Sequence, residues 1–324
     1  MPELRKDPVS DRWVVISTER GRRPSDFKMK SVSEENAAGA ANCPFCEGSE
    51  TKTPPEIKSW RKTGTLPNTP GWDVRIVSNK FPALTADGEV NRTGMGVFDM
   101  MSWIGAHEVI VETPKHNLII PDMSDEHVEK ILWAYKQRIV DLSGDKRFRY
   151  ILVFKNYGMA AGASLTHPHS QLIATRITPR YVKMELSNAR AYFLAKERCL
   201  FCDIIRKELG AGERVVYENE YFVAITPFAS RFPFEVWILP RRHEYGFEVM
   251  PNEERLLLAQ CLKDILNRLR LCLNDPPYNY MLHTAPNAMT RPGKPDYWGT
   301  IQYDFHWHME IIPRLTQMAG FECG

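Results

Sequence analysis

Cysteines and histidines recur twice in the same order along this chain of 324 residues. Cys43-Pro-Phe-Cys46 is followed by Pro114-Lys-His116 and His167-Pro-His169, and Cys199-Leu-Phe-Cys202 by Pro240-Arg-Arg-His243 and His306-Trp-His308. Two thiolates on one tight turn and two imidazoles from elsewhere in a fold complete the tetrahedral ligand set of zinc. The pattern predicts two such sites: Cys43, Cys46, His116 and His167, then Cys199, Cys202, His243 and His306. Each uses four protein ligands and leaves no open position, so both metals read as structural. At the second site His283 or His308 can stand in for a named histidine, and iron can substitute for zinc. For either pair the alternative is an unmetallated or redox-active dithiol.

A second kind of chemistry sits beside the first metal site. In a strand alternate residues share a face, so His167, His169 and Gln171 point the same way. With His167 tied to a metal, His169 is held as a rigid nucleophile, one ring nitrogen presented and the other fixed by a hydrogen bond. Just upstream, Asn156-Tyr-Gly158-Met-Ala-Ala-Gly162-Ala-Ser164 is rich in small residues whose backbone can approach a phosphate closely. His107 and His127 read as ordinary surface or partly buried histidines.

These groups need strands and helices to hold them. Ser124 followed by Asp125 and Glu126 predicts a helix whose apolar face carries Val128, Ile131, Leu132, Tyr135, Ile139 and Leu142. Asn252, Glu253 and Glu254 predict its counterpart, with Leu258, Cys261, Leu262, Ile265, Leu269 and Cys272 inward. Strands are predicted over 74–77, 108–112, 150–154, 171–175, 221–225, 235–239, 278–282 and 303–312. Residues 28–42 and 51–70 read as connections. Within each repeat the order is ββαββ, which favours an α+β fold with an antiparallel sheet over a parallel one. By this reading 1–180 is an N-terminal unit with the His-Pro-His-Ser-Gln segment and 181–324 a C-terminal one; Val74–Phe81 aligns with Val215–Phe222.

Composition excludes several classes. Forty-two basic and 40 acidic residues give a net charge of +2, no field for gripping a long nucleic acid. No run approaches the roughly 18–20 apolar residues of a membrane span, and no leader is evident, which predicts a cytoplasmic protein. Four of seven cysteines in Cys-x-x-Cys pairs fit metal thiolates in a reducing compartment better than disulfides.

The segment Gly162-x-Ser164-x-x-His167-Pro-His169-x-Gln171 resembles the active-site signature of the galactose-1-phosphate uridylyltransferase family, within the histidine triad superfamily. The resemblance takes in nearly the whole chain, including Arg20 and Arg23, Asn79-Lys-Phe81 and Phe305–Pro313. It implies two histidine-triad-like units sharing an antiparallel sheet as a half-barrel with helices on one face, a homodimer, and nucleotidyl transfer by double displacement. His169 is then the nucleophile. Gln171, Ser164 and the Gly162 backbone hold the phosphoryl oxygens, while Asn79, Phe81 and Asn156 meet the nucleoside and Arg20 and Arg23 lie near the phosphates. Histidine triad hydrolases carry a third histidine at the Gln171 position; an amide is no acid or base at neutral pH, which favours transfer over hydrolysis.

The partners implied are a nucleotide sugar and either a sugar 1-phosphate or inorganic phosphate. UDP-glucose with a hexose 1-phosphate, as in galactose metabolism, is the leading expectation. The segment Gly320-Phe321-Glu322 keeps Glu322 but lacks the family's lysine and tyrosine, and resembles plant ADP-glucose phosphorylases. Adenylyl transfer from ADP-glucose, or from a dinucleoside polyphosphate, to phosphate is therefore the alternative. A zinc-stabilised nucleotide-binding module without turnover is the alternative from another class.

Overall fold

A computed structural model describes residues 2–16, 23–27, 31–35, 42–85, 88, 91–287 and 298–315. Arg20, Gly320 to Glu322 and Cys323 lie outside the described residues. A hairpin of β1 (Glu3–Lys6) and β2 (Trp13–Ile16) comes first, then one helical turn, α1 (Val32–Glu35). β3 (Glu56–Arg61), β4 (Trp72–Ser78), a separate hairpin of β5 (Arg92–Met95) and β6 (Phe98–Met101), and β7 (Gly105–Val111) follow. The first half closes with α2 (Asp125–Ser143), β8 (Tyr150–Tyr157) and β9 (His169–Thr175). The second comprises α3 (Arg180–Lys196), α4 (Leu200–Ala211), β10 (Val215–Glu218), β11 (Phe222–Ile225), β12 (Val236–Pro240), α5 (Arg255–Leu273), β13 (Tyr278–His283), α6 (Ile301–Asp304) and β14 (His308–Pro313).

Ten strands form one antiparallel sheet in the order β10-β11-β12-β14-β13-β8-β9-β7-β4-β3. Counted outward from the central β8–β13 pair, β8-β9-β7-β4-β3 repeats as β13-β14-β12-β11-β10, so the duplication read from the cysteines and histidines is built into the sheet. The same order corrects one alignment. Val74–Phe81 belongs to the β4 region, whose counterpart is β11, whereas Val215 opens the edge strand β10.

Both long helices form where the apolar period demands. Ser124 caps α2, its hydroxyl accepting from the His127 amide at 3.2 Å. In α5 the expected cap is diverted: Asn252 Oδ1 accepts from Arg255 and Lys136 at 2.9 and 3.2 Å. A 3-10 turn, Asn252–Glu254, therefore precedes the helix proper. Cys261 is buried and Cys272, in the last turn, is exposed, which removes Cys272 from the expected core stripe. Tyr303, assigned to a strand from sequence, lies in α6, and β3 runs through part of the segment read as a connection.

Helices α2 and α5 cover one face of the sheet through Ile131, Tyr135, Leu262 and Ile265 against Ile110, Val153, Leu172, Ile238 and Leu282. Each such side chain contributes about 1.5–3 kcal/mol on full burial. The expectation of helices on one face covers this pair only. Helices α3 and α4 lie on the other face of the second half, packing Leu186, Leu200 and Phe201 against Val223, Trp237 and Leu239, with Val9 of the N-terminal hairpin alongside. On the corresponding face of the first half, a small cluster of Cys43, Phe45, Trp72, Val77, Val109 and Val111 takes their place. The sheet faces that carry His167-Pro-His169 and His306-Trp-His308 thus differ in cover. Among the described residues no helix is long and apolar enough to cross a membrane.

Candidate active site and metal centres

The first cysteine pair, on the turns after residue 42, meets His116, just past β7, and His167, just before β9. One donor atom from each of the four lies within 4.8 Å of the others. Nδ1 of His167 is 3.4 Å from Cys43 Sγ and 3.6 Å from Cys46 Sγ, and Nδ1 of His116 is 3.4 Å from Cys46 Sγ. A tetrahedral zinc, with Zn–S of about 2.3 Å and Zn–N of about 2.0 Å, has S···N edges of about 3.5 Å. His167 Nε2–H donates to the Thr113 carbonyl at 2.7 Å, which leaves the Nδ1 lone pair toward the sulfurs. Burial lowers the His167 pKa to about 4 and raises that of Cys46, beside Cys43, to about 11. A cation is what this donor set fits.

The second quartet repeats the first. Cys202 Sγ lies 3.4 Å from His243 Nδ1 and 3.6 Å from His306 Nδ1, and His306 Nε2–H donates to the Pro240 carbonyl at 2.8 Å. A hydrogen bond between the two sulfurs raises Cys199 and holds Cys202 down to about 3, as two sulfurs sharing one proton require. His283 and His308, weighed as substitutes, belong to a different cluster with Glu185. There His283 Nδ1 meets Glu185 at 2.9 Å, and Glu310 stands 3.8 Å from His283 and 3.9 Å from His308. Burial opposes the charge on His283, and the two carboxylates override it and raise its pKa to about 9. Glu185 Oε1, His308 Nε2 and Glu310 Oε1 are buried without a hydrogen-bond partner.

His169 opens β9, opposite Val111. Its Nδ1–H donates to the His167 carbonyl at 2.8 Å, so in the neutral ring Nε2 carries the lone pair. Burial depresses its pKa below the ordinary histidine range, which keeps that form at neutral pH. The ring is 7% exposed and borders a cleft of about 70 Å³ lined by Asn156, Gly158, Met159, Ser164 and Thr166. His308, its counterpart, has the same bond to the His306 carbonyl at 3.1 Å, but it is fully buried, with the rings of Phe201 and Trp237 at 5.0 and 5.5 Å. Cover by α4 seals the second edge; the first is open.

The other expected site residues gather unevenly. Asn156 accepts from Asn279 at 2.8 Å and donates to the Gly162 carbonyl at 3.4 Å. Gly162 has φ 88° and its amide is already donated to the Met159 carbonyl at 2.9 Å, so it shapes the turn rather than offering a free N–H. Gly158 is required by contact: a Cβ there would lie 2.8 Å from Val32 and 2.9 Å from Pro277. Ser164 is exposed on the cleft wall. Asn79 joins Gln171 through His107, whose Nε2 is 3.1 Å from Asn79 Nδ2 and 2.9 Å from Gln171 Oε1. Phe81 is 83% exposed. Arg23 precedes the turn Pro24–Asp26, which borders α5.

Four polar residues close to this edge escaped sequence reasoning. Behind His169, on the helix face of the sheet, Lys155 pairs with Glu112 at 2.6 Å and donates to the His169 carbonyl at 3.2 Å. Both side chains are essentially inaccessible, at 3% and 0%. Ser170 donates to the other Glu112 oxygen, and Tyr135 links Ser170 to Tyr280. A lysine and a glutamate in apolar strands were the only signal. Asn279, not singled out in the sequence, and His107, read as an ordinary histidine, complete the four.

Comparison with known proteins agrees with this geometry. Residues 1–179 match the family profile "Galactose-1-phosphate uridyl transferase, N-terminal domain" and residues 185–319 its C-terminal domain. The chain is 38% identical to ADP-glucose phosphorylase of Arabidopsis thaliana, with 100% of this chain and 87% of that protein covered. It is 31% identical to galactose-1-phosphate uridylyltransferase of Thermotoga maritima, covering 100% and 92%. The crystal structure of an Arabidopsis thaliana ADP-glucose phosphorylase with bound ADP-glucose superposes with a TM-score of 0.79 at 33% identity, covering 100% of this chain and 93% of that one. On these matches and on the paired Cys/His quartets, the chain belongs to the galactose-1-phosphate uridylyltransferase family.

Proposed function

We propose that the chain transfers adenylate from ADP-glucose to inorganic phosphate through a covalent nucleotidyl-histidine. The observation that carries this is the Nε2 lone pair of His169, set at an open cleft by the Nδ1–H bond to the His167 carbonyl. That lone pair attacks the α-phosphorus, the bond to the bridging oxygen breaks, and glucose 1-phosphate leaves. Its oxygen departs as a stable phosphate anion, so no acid is needed, in keeping with Gln171 where a third histidine would stand. The adenylylated ring is cationic, and its Nδ1–H stays on the carbonyl. An oxygen of inorganic phosphate then attacks phosphorus, the P–Nε2 bond breaks with its electron pair returning to the neutral imidazole, and the ADP so formed is released. Gln171, and Ser164 on the cleft wall, serve the phosphoryl oxygens, where developing charge makes a positioned donor count for about 2.7–4 kcal/mol. Asn79, Phe81 and Asn156 are assigned to the nucleoside and Arg20 and Arg23 to the phosphates; Arg20 and Glu322 lie outside the described residues.

The adenine choice departs from the leading expectation of UDP-glucose with a hexose 1-phosphate. It is supported by the greater likeness to ADP-glucose phosphorylase and by the Gly320-Phe321-Glu322 sequence. We assign zinc to both Cys/His quartets as a structural cross-link that ties Cys43 and Cys46 to the strand ends. Iron is the alternative occupant of the second quartet, Cys199, Cys202, His243 and His306. The catalytic unit is taken as 1–180, the scaffold unit as 181–324, and the assembly as a homodimer, which light scattering tests. Intact mass after mixing the protein with ADP-glucose or UDP-glucose alone tests the reaction. A gain of one AMP from ADP-glucose is expected; a gain of UMP only would return the uridylyl reading, and no adduct from either would favour a binding module without turnover.

A further inference from the structure

We propose that His107 is a positioning residue, which holds the Gln171 side chain with its N–H edge turned toward the reacting phosphoryl group. The inference deepens the nucleotidyl-transfer reading and rests on it for its kinetic consequence. His107 lies on β7 and Gln171 on β9, side by side and diagonal in register: Val109 faces Gln171 and His107 faces Ile173. Two hydrogen bonds fix the proton on the imidazole. The Ala83 backbone N–H reaches His107 Nδ1 at 3.1 Å, and an amide N–H can only donate, so Nδ1 carries the lone pair. A neutral imidazole then has its single proton on Nε2. That N–H points to Gln171 Oε1 at 2.9 Å.

Asn79 Nδ2 stands 3.1 Å from the same nitrogen, but Asn79 Oδ1 already accepts from the Phe81 amide at 2.9 Å. Its amino group therefore faces Nε2–H donor to donor, and of these two neighbours Gln171 Oε1 is the acceptor for Nε2–H. An amide has one oxygen and one amino group at nearly equal reach. Once His107 claims the oxygen, the amino group of Gln171 is left on the side of His169, where phosphoryl oxygens gather charge. Without His107 the amide is free to turn over and present its oxygen to an anion, which repels rather than holds it. The role assigned to His107 is to hold Gln171 through this bond, so its effect on the rate passes through Gln171.

Two measurements test this on the full-length, metal-loaded protein. The first is ¹⁵N NMR of the histidine-labelled chain, with the His107 resonances assigned by comparison with His107→Ala. The expected result is a protonated Nε2 and a bare Nδ1; a protonated Nδ1 overturns the proposal. The second is a single-turnover cycle of adduct formation from ADP-glucose in wild type, His107→Ala, Gln171→Ala and the double variant. Since one misplaced oxyanion donor costs up to about 100- to 1,000-fold, losing its orientation should cost roughly 10-fold in rate, with KM nearly unchanged. In the Gln171→Ala background the His107 substitution should cost nothing, and His107→Gln, which restores an N–H near the Nε2 position, should recover part of the loss. Equal losses in both backgrounds overturn the proposal. Failure of wild type to form any adduct would remove the transfer reading, and the NMR result then decides the assignment of the ring proton by itself.

Discussion

Replacing Lys155 with methionine should destabilise the fold by about 2–4 kcal/mol, and the figure can be worked from the site. Lys155 and Glu112 pair at 2.6 Å with almost no exposure, and breaking a buried pair by removing one partner typically costs about 3–5 kcal/mol. The Ser170 hydroxyl still donates to the other oxygen, and a hydrogen bond to the stranded carboxylate offsets about 1 kcal/mol of this, which brings the figure to about 2–4 kcal/mol. Adding Glu112→Gln removes the stranded charge, so Lys155→Met/Glu112→Gln should return to within about 1.5 kcal/mol of wild type. Urea unfolding of the zinc-loaded protein at pH 7 measures each term. A single variant costing under 1 kcal/mol, or a double variant no better than the single, would refute a desolvated ion pair behind His169.

Other predictions separate scaffold from chemistry. Cys43→Ser should lower metal content and thermal stability together, because structural zinc contributes directly to folding; unchanged zinc by elemental analysis would contradict the first ligand set. His169→Ala should abolish turnover with both Cys/His metals retained, and an emptied site would contradict its placement outside the ligand set. The His169 pKa is depressed by burial, so the nucleophilic neutral ring is lost only as pH falls below the ordinary value of about 6.5. The acid limb of single-turnover adduct formation should lie under that value, and a limb above it would speak against a buried nucleophile.

Legibility followed the range of the interactions. The two quartets and the histidine pairs were legible because ligand chemistry fixes residue type, and tight turns fix Cys-x-x-Cys spacing. Helix α2 was legible from Ser124 and its apolar period. Helix α3 was not: its buried stripe is only Val182, Glu185, Leu186 and Ala189, too narrow and too polar to stand out. β3 was hidden by the prolines and glycines around it, and α6 by aromatic residues that suit a strand equally well. His107 looked ordinary because its meaning depends on Gln171, 64 residues away, and on a backbone amide at Ala83. Cover was illegible for the same reason. Nothing in His306-Trp-His308 announces that Phe201 and Trp237 close over it, whereas His167-Pro-His169 remains at an open edge.

Phosphorus should become bonded to His169 during each turnover, and peptide mapping by mass spectrometry reads that bond directly. After a brief exposure to ADP-glucose and digestion under alkaline conditions that preserve phosphoramidates, AMP should be found on the peptide containing His169, with fragments placing it on that ring and none on His107, His167 or His308. An adduct on any other side chain, or turnover with no adduct on His169 at any time, would contradict it.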